Sequence, residues 1–259
     1  MSPLARVCPL FSGSSGNSTY IGCASGGILI DAGVGARSIF NALSALDIEL
    51  ETVSAVFVTH EHSDHIRGLV PLQRKYGLRV FASQQTAAAL SSEVEVEVIG
   101  GDGAEMGGLL IERFPTSHDC SGSSGYTVCT PDGRRIGVCT DLGHMTDDVR
   151  SALYGCDLVL IESNHDVNML KNGSYPYYTK LRILSDRGHL SNACCADELP
   201  TLVRTGTTRV ILGHISRDNN FPELALATAR SALTVAGLSE NQDYLLSVAP
   251  PSGSRLTVL

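Results

Sequence analysis

The sequence predicts a single α/β domain, and three observations support this prediction. Short apolar segments rich in β-branched residues alternate along the chain with segments of helical periodicity, and no linker interrupts them. The 259 residues, 43% of them hydrophobic, are enough for one large core, whereas two domains would each be small. In addition, residues of metal-binding type follow several of the apolar segments directly.

The predicted elements fall into two halves, at about residues 1–125 and 126–259, which repeat the architecture without repeating the sequence. In the first half, the patterns predict strands at 5–11, 18–23, 27–31, 53–58, 79–82, 94–99 and 109–114, and helices at 36–46 and 66–76. In the second half, they predict strands at 126–130, 135–140, 158–161, 209–212 and 244–248, and helices at 146–153, 192–204 and 222–236. We expect the functional site where the two halves meet.

The strongest chemical signal is the segment 60–65, with the sequence HEHSDH, directly after a predicted buried strand. A histidine-rich surface turn is the alternative, but four ligand-type residues out of six at a strand end favour a metal site. Imidazole and carboxylate groups suit zinc, manganese or iron better than magnesium or calcium, which prefer oxygen alone. Because alternate residues point the same way, we expect His60 and His62 to face one ion. Asp64 and His65 are expected to face a second ion.

Three more predicted strands end near residues of metal-binding type, namely His118, Asp141 and His214. Taken alone, each would more commonly be a hydrogen-bonded structural histidine or a turn-forming aspartate. The repeated arrangement of strand and then ligand favours one shared site. We expect His118 to complete the first ion's ligands, Asp141 to bridge the ions and His214 to complete the second ion's ligands. The predicted cofactors are two divalent metal ions, zinc or manganese, with iron as a further candidate.

In this order, these residues resemble the metallo-β-lactamase superfamily over nearly the whole chain. Further segments are similar to its WalJ (YycJ-like) subgroup, related to the RNase Z and cyclic phosphodiesterase branches: 11–18 (FSGSSGNS), 162–166 (ESNHD), 188–192 (GHLSN) and 214–220 (HISRDNN). The resemblance implies a four-layer αββα sandwich with a dinuclear site at one edge. It also implies phosphodiester hydrolysis, with the DNA exonuclease activity attributed to the subgroup.

The resemblance also implies roles for individual residues. His189 matches the catalytic histidine of the phosphodiesterase branches, and we expect it to protonate the leaving alkoxide. The alternative is an incidental histidine beside a helix N-terminus. Asp64 is expected to bind the second ion and to orient a metal-bridging hydroxide. The candidates for substrate contact or for support of the ligands are Asn17, Asp31, Glu162, His165 and Asn192. Among them, Asp31 is expected to orient the histidine-rich loop, and Glu162 and His165 to orient His189.

Charge gives a mixed indication about a nucleic-acid partner. The net charge of −8 argues against a broad electrostatic DNA-binding surface. A segment just before His189 is nevertheless rich in basic residues and tyrosines: Lys171, Tyr175, Tyr177, Tyr178, Lys180, Arg182 and Arg187. This composition can contact phosphates and stack a base. The alternative is a solvated helix whose tyrosines attach it to the core.

The sequence predicts a cytoplasmic protein without a membrane segment. No apolar stretch is long enough to cross a bilayer, and residues 1–6 lack the basic start and apolar core of a secretory signal. Most of the eight cysteines lie in or beside strand-like runs, and no Cys-x-x-Cys pair occurs. We therefore expect reduced cysteines. Cys120 is expected to be a small neighbour of the site rather than a thiolate ligand.

The leading functional prediction is a dinuclear metal-dependent phosphodiesterase or nuclease. The alternative is a small-molecule hydrolase of a cyclic phosphate, thioester or lactone. His189 and Glu162 distinguish the two, because a thioester hydrolase needs no proton donor placed for an alkoxide. A diiron redox module would usually have a carboxylate in place of His62. A catalytically inactive binding module is disfavoured because all seven ligand candidates are present.

Overall fold

Two β-sheets form the centre of the fold. The structure is a computed structural model that describes residues 4–253 and 255–259; residues 1–3, part of the N-terminal segment considered above, lie outside it. Within the described residues, the strands form two seven-stranded sheets. The first sheet contains β1 (Arg6–Phe11), β2 (Ser18–Cys23), β3 (Gly26–Ile30), β4 (Val53–Phe57), β5 (Arg79–Ala82), β6 (Glu97–Val98) and β14 (Thr257–Val258). The second contains β7 (Ala104–Met106), β8 (Leu109–Pro115), β9 (Ser124–Cys129), β10 (Arg135–Cys139), β11 (Leu158–Glu162), β12 (Arg209–Gly213) and β13 (Leu245–Val248).

Each sheet combines an antiparallel part with a parallel part. The strand orders are β14-β1-β2-β3-β4-β5-β6 and β13-β12-β11-β10-β9-β8-β7. Strands β3 to β6 run parallel, as do β10 to β13. The carboxyl ends of parallel neighbours lie at the same edge of a sheet, so residues that follow these strands are brought together.

Helices cover the outer face of each sheet. In chain order they are α1 (Ala36–Ser44), α2 (Ser63–Ile66), α3 (Leu69–Tyr76), α4 (Gln84–Leu90), α5 (Asp147–Leu153), α6 (Val167–Asn172), α7 (Tyr177–Ile183), α8 (Asn192–Arg204) and α9 (Pro222–Val235). Apolar residues of α1, α3 and α4 pack on the first sheet, and those of α5, α8 and α9 pack on the second. The layers therefore follow the order αββα, as the resemblance implied.

The alternation of side chains along the strands explains the two kinds of core. In β3, Ile28 and Ile30 point into the core between the sheets, whereas Leu29 points outward into the core beneath the helices. Phe57 of the first sheet meets Tyr126 of the second edge to face, with ring centroids 5.7 Å apart. Strands that are buried on both faces read as continuous apolar runs in the sequence.

The sequence predicted most of the strands and the long helices. The predicted boundaries of β2, β5 and α8 are confirmed to the residue. The predicted helix at 66–76 begins only at Leu69, as α3, and Ile66 is the last residue of the short helix α2. Between them, Gly68 passes against the Val34 carbonyl, 2.4 Å from where a Cβ would lie. The short elements α4, α6, α7, β7 and β14 were missed, because they contain too few apolar positions to show a clear periodicity. The chain changes sheet between β6 and β7, whereas the predicted boundary near residue 125 lies within β9.

No helix of the described residues has both the length and the apolar character needed to cross a membrane.

Candidate metal centre and active site

The candidate site lies at the edge where parallel strands of both sheets end. Asp31 follows β3, His60 follows β4, and Asp141 and His214 follow β10 and β12. Glu162 is the last residue of β11. The two sheets thus supply residues from distant parts of the chain to one place.

The backbone turns sharply at three of these strand ends. Asp31, Asp141 and His214 have φ values of 63°, 58° and 53°, and they are three of the five non-glycine residues with positive φ in the described part of the chain. Left-handed backbone of this kind is uncommon outside glycine and costs on the order of 1–3 kcal/mol when the surroundings enforce it. Its concentration at these strand ends indicates that the fold holds the side chains in place against local preference.

The first group of side chains consists of His60, His62 and His118, whose ligand atoms lie within 4.8 Å of one another. The Nε2 atom of His60 is 3.0 Å from Nδ1 of His62. His118 is oriented by the bond between its Nδ1 and the Gly188 carbonyl, at 3.0 Å. Its Nε2 is buried and has no hydrogen-bond partner among the described residues.

The second group consists of Asp64, His65 and His214, again within 4.8 Å of one another. The Nε2 atoms of His65 and His214 lie 3.7 and 3.9 Å from Oδ2 of Asp64. Nε2 of His214 is buried without a partner in the described structure. The sequence had assigned these same residues to a second ion.

Asp141 lies between the two groups. Its Oδ2 is 3.3 Å from Nε2 of His65, and its Oδ1 is 3.9 Å from Nε2 of His118. Burial disfavours the charged carboxylate, but His214 and His65 together hold the pKa of Asp141 well below its usual value. Asp141 therefore has one carboxylate oxygen close to a histidine of each group.

Buried ligand atoms without a hydrogen-bond partner indicate whether metal ions fit this site. Nε2 of His118, Nε2 of His214 and Oδ2 of Asp141 are all buried, and none has a hydrogen-bond partner in the described residues. Such groups are costly to bury unless something compensates them. Imidazole nitrogens with carboxylate oxygens are the donor set of divalent zinc, manganese and iron sites. The residues thus fit divalent metal ions, arranged as two groups that share Asp141.

Glu162 is the central support of the site. Its Oε1 accepts hydrogen bonds from Nδ1 of His189 at 2.9 Å and of His214 at 2.6 Å. Its Oε2 accepts from the backbone N–H groups of Leu142 and Leu190. Burial opposes ionisation, but His189 and His214 lower the pKa of Glu162 to about 2. Glu162 could itself join a metal-binding group with Asp141 and these histidines, yet both of its oxygens already have their donors, so we assign it to support.

His189 is held by Glu162 and reaches the site cavity. The cavity has a volume of about 240 Å³, and its lining includes His189, Asp64, Asp141 and Arg182. The side chain of His189 is 17% exposed, so it is accessible to a ligand in the cavity. Burial lowers its pKa, but Glu162 outweighs this effect and raises it overall. This ion pair favours a protonated His189.

Asp31 and Asn17 support the histidine-rich loop. Asp31 accepts hydrogen bonds from the backbone N–H and hydroxyl of Thr59 and from Nδ1 of His65, at 2.8, 2.9 and 2.7 Å. Burial opposes a charge on His65, but Asp31 and Asp141 raise its pKa to about 10. The side-chain amide of Asn17 lies 3.1 Å from Nε2 of His65, and the Asn17 backbone N–H donates to the Asp64 carbonyl at 2.8 Å.

His165 and Asn192 are not among the described residues that line the site cavity. Neither ring nitrogen of the buried His165 has a hydrogen-bond partner among the described residues, and the orientation of His189 rests on Glu162. The side chain of Asn192 bonds with Ser163 and Asn220, at 2.7 and 2.8 Å, in a buried network. These contacts attach the start of α8 to the strand end that carries Glu162.

The sequence reasoning missed Asp119 and Ser12. Oδ1 of Asp119 is 3.3 Å from Nε2 of His118 and 3.8 Å from Nε2 of His62, and its other oxygen pairs with Arg182. Its place directly after His118 was the only available signal. The Ser12 hydroxyl accepts a hydrogen bond from the His214 backbone N–H at 2.8 Å. The two residues are 202 positions apart in the chain, so no local sequence pattern predicts this contact. Burial raises the pKa of the Cys120 thiol to about 12, as expected for a neutral neighbour.

The chain is similar to known proteins in sequence and in fold. Residues 27–215 match a family model described as the beta-lactamase superfamily domain. The chain is 35% identical over 258 residues to exodeoxyribonuclease WalJ of Streptococcus pneumoniae serotype 2, covering 96% of both proteins. It is 33% identical over 249 residues to exodeoxyribonuclease YycJ of Bacillus anthracis, covering 93% of this chain and 94% of the relative. The solved metallo-β-lactamase fold protein YhfI from Bacillus subtilis matches with a TM-score of 0.70 at 14% identity, over 98% of this chain and all of that one (100%).

The αββα sandwich and its histidine and aspartate cluster define a metallo-β-lactamase fold. The chain belongs to the metallo-β-lactamase superfamily and, within it, to the WalJ (YycJ-like) subgroup. The resemblance inferred from the sequence motifs is therefore confirmed.

Proposed function

We propose that the protein is a metal-dependent phosphodiesterase that degrades DNA from its ends. The observation that carries this proposal is the pairing of His189 with Glu162 beside the two ligand groups, because it supports His189 as the proton donor to a leaving alkoxide. The names of the WalJ and YycJ relatives support DNA as the substrate. The chain would act as a single domain, residues 1–259, because both sheets contribute to the site. We also propose a cytoplasmic location, where the eight cysteines, all free in the described residues, stay reduced.

We propose zinc or manganese as the two divalent cofactors. His60, His62 and His118 would hold one ion, Asp64, His65 and His214 would hold the other, and Asp141 would contact both. When bound, such ions supply Lewis acidity: they lower the pKa of a water molecule and offset the charge that develops on a phosphoryl group.

In this proposal, Asp64 orients the attacking water and His189 protonates the leaving oxygen. The side chain of Asp64 is 23% exposed and lines the cavity, so it can accept a hydrogen bond from the attacking water and orient it. Protonated His189 donates from its free Nε2 to the leaving oxygen, while Glu162 holds Nδ1 and stabilises the imidazolium. Glu162 keeps its own charge because four donors of the described residues surround it.

The test is a substrate panel with metal-reconstituted protein. End-labelled single- and double-stranded DNA, RNA, a cyclic phosphate ester and a thioester are incubated with the wild type and with His189→Gln. We expect stepwise shortening of DNA, and a loss of about 10²–10⁴-fold in kcat for His189→Gln with its metal content retained. His144→Gln is the matched control, because His144 is exposed and bonds only the Asp186 carbonyl in the described structure. Turnover of the thioester alone would end the nuclease assignment and leave the metal site standing.

A further inference from the structure

Two loops lie side by side at the rim of the site cavity. We define these rim loops as residues 12–17, after β1, and residues 214–217, after β12. They are joined near both ends: the Ser12 hydroxyl accepts a hydrogen bond from the His214 backbone N–H at 2.8 Å, and the Ser15 hydroxyl accepts one from Arg217 at 3.0 Å. The rim loops therefore form one unit beside the second group of candidate metal ligands.

The first rim loop is a tight turn that is packed in place. The Gly16 backbone N–H donates to the Gly13 carbonyl at 2.9 Å and closes the turn, and both glycines have positive φ, at 153° and 129°. A Cβ at Gly16 would lie 2.3 Å from the Val34 side chain. The backbone N–H groups of Ser14 and Ser15 donate no hydrogen bond within the described residues, and Ser14 lines the cavity. The turn thus holds free donors at the rim.

Arg217 brings a positive charge to the rim loops without a carboxylate partner in the described structure. Its side chain bonds only the Ser15 hydroxyl there, through one terminal nitrogen, so Nε and the other terminal nitrogen keep free donors. The neighbouring Asp218 instead accepts a hydrogen bond from the hydroxyl of Tyr175, which lines the cavity, at 2.7 Å. Arg182, which also lines the cavity, is by contrast already in an ion pair.

We propose that the rim loops form a second phosphate-binding subsite, in which Arg217 and Ser14 hold a phosphate of the DNA backbone other than the one that is cleaved. This inference rests on the proposed nuclease function and adds the residues that favour a chain of phosphates over an isolated phosphodiester. Arginine side chains, hydroxyls and backbone N–H groups are common donors to DNA phosphate oxygens. Because a net charge of −8 provides no broad basic surface, a local cation is needed to hold the backbone.

The experiment compares Arg217→Gln with the matched control Arg209→Gln in the metal-loaded enzyme. Arg209 is the first residue of β12, at the end of the strand away from the site, and its side chain also bonds only a hydroxyl in the described residues, that of Thr208 at 3.5 Å. The substrates are end-labelled double-stranded DNA and bis(p-nitrophenyl) phosphate, which has a single phosphate. We expect Arg217→Gln to raise the ratio of the two KM values, DNA over the small ester, about 10-fold, as for loss of a hydrogen bond to a charged group. Arg209→Gln keeps the wild-type ratio.

Two further variants distinguish phosphate binding from support of the loops. Arg217→Gln should lower the salt dependence of the KM for DNA by about one phosphate contact. Arg217→Lys keeps the charge and therefore keeps the wild-type salt dependence. Ser15→Ala removes the hydroxyl that positions Arg217 but leaves the charge, so it should raise the KM for DNA by less than Arg217→Gln does.

The outcomes separate this inference from the proposed function. If the wild type degrades DNA and Arg217→Gln has the KM ratio of Arg209→Gln, the subsite is refuted and the nuclease stands. If Arg217→Gln impairs both substrates equally, the arginine only joins the rim loops, and the subsite is refuted. If the wild type hydrolyses bis(p-nitrophenyl) phosphate but no DNA, the proposed function fails and the subsite for DNA fails with it.

Discussion

Replacement of Glu162 by glutamine probes the support of the whole site with little change in shape. The carboxylate accepts hydrogen bonds from two histidine rings at one oxygen and from two backbone N–H groups at the other. A glutamine side chain has one acceptor oxygen, so either the two rings or the two backbone groups would face an amide N–H₂ donor. Glu162→Gln therefore leaves two buried donors without an acceptor in either orientation.

The expected loss of stability follows from the number of hydrogen bonds that Glu162 accepts. Hydrogen bonds to a charged group contribute about 1.5–3 kcal/mol each, so the loss of two lowers the free energy of unfolding by about 3–6 kcal/mol. His214 loses the partner that orients it, and a change of this kind usually weakens metal binding by about 10–100-fold. His189 loses the partner that keeps it protonated, so kcat falls even when metal is saturating.

Three measurements check this prediction: urea unfolding, metal affinity by competition with a chelator, and kcat at saturating metal. The control is Glu198→Gln, which removes a carboxylate from an ion pair with Arg150 that lies away from the site. Because Arg150 is partly exposed, this pair is expected to contribute only about 1 kcal/mol or less. Equal unfolding midpoints and equal metal affinities for the two variants would refute the supporting role of Glu162.

Three further predictions concern stability. Gly33→Ala places a Cβ 1.7 Å from the Asp64 carbonyl oxygen, so it should cost about 3 kcal/mol in urea unfolding; Gly35→Ala, with nothing within 4 Å, should not. Tyr126→Phe removes a buried hydroxyl that donates to a backbone carbonyl at 2.7 Å, and calorimetry should show a loss of about 1–3 kcal/mol. The pKa of Glu162 falls from 4.5 to about 2 on folding, so its stabilisation is complete above pH 4.5 and is lost as the pH falls toward 2. Between pH 5 and pH 2, the free energy of unfolding of the metal-free protein should therefore fall more steeply in the wild type than in Glu162→Gln.

The left-handed strand ends show how the fold and the site depend on each other. Asp31, Asp141 and His214 each adopt backbone that their local sequence does not favour. Each is held by contacts from another element: Asp31 by Thr59 and His65, Asp141 by His65, and His214 by Glu162 and Ser12. The packed sheets supply the energy that keeps this geometry.

The sequence by itself determined most of the strands, the long helices and the order of the ligand types. Strand identity is local, because short, mostly apolar runs such as β4 and β11 can be recognised without knowledge of their neighbours. The HEHSDH segment carries its own chemistry, and its position after β4 predicted that it lies at a sheet edge. The family motifs then supplied the expected partners over the rest of the chain.

The tertiary structure alone decided which side chains meet. Glu162 receives donors from residues 20 to 52 positions away in the chain, and the Ser12 hydroxyl meets His214 across 202 positions. Arg182, which lines the cavity, pairs with Asp119, 63 residues earlier in the chain. These contacts arise only when two sheets pack face to face and bring their strand ends to one edge, and a local pattern of residues contains no information about that packing.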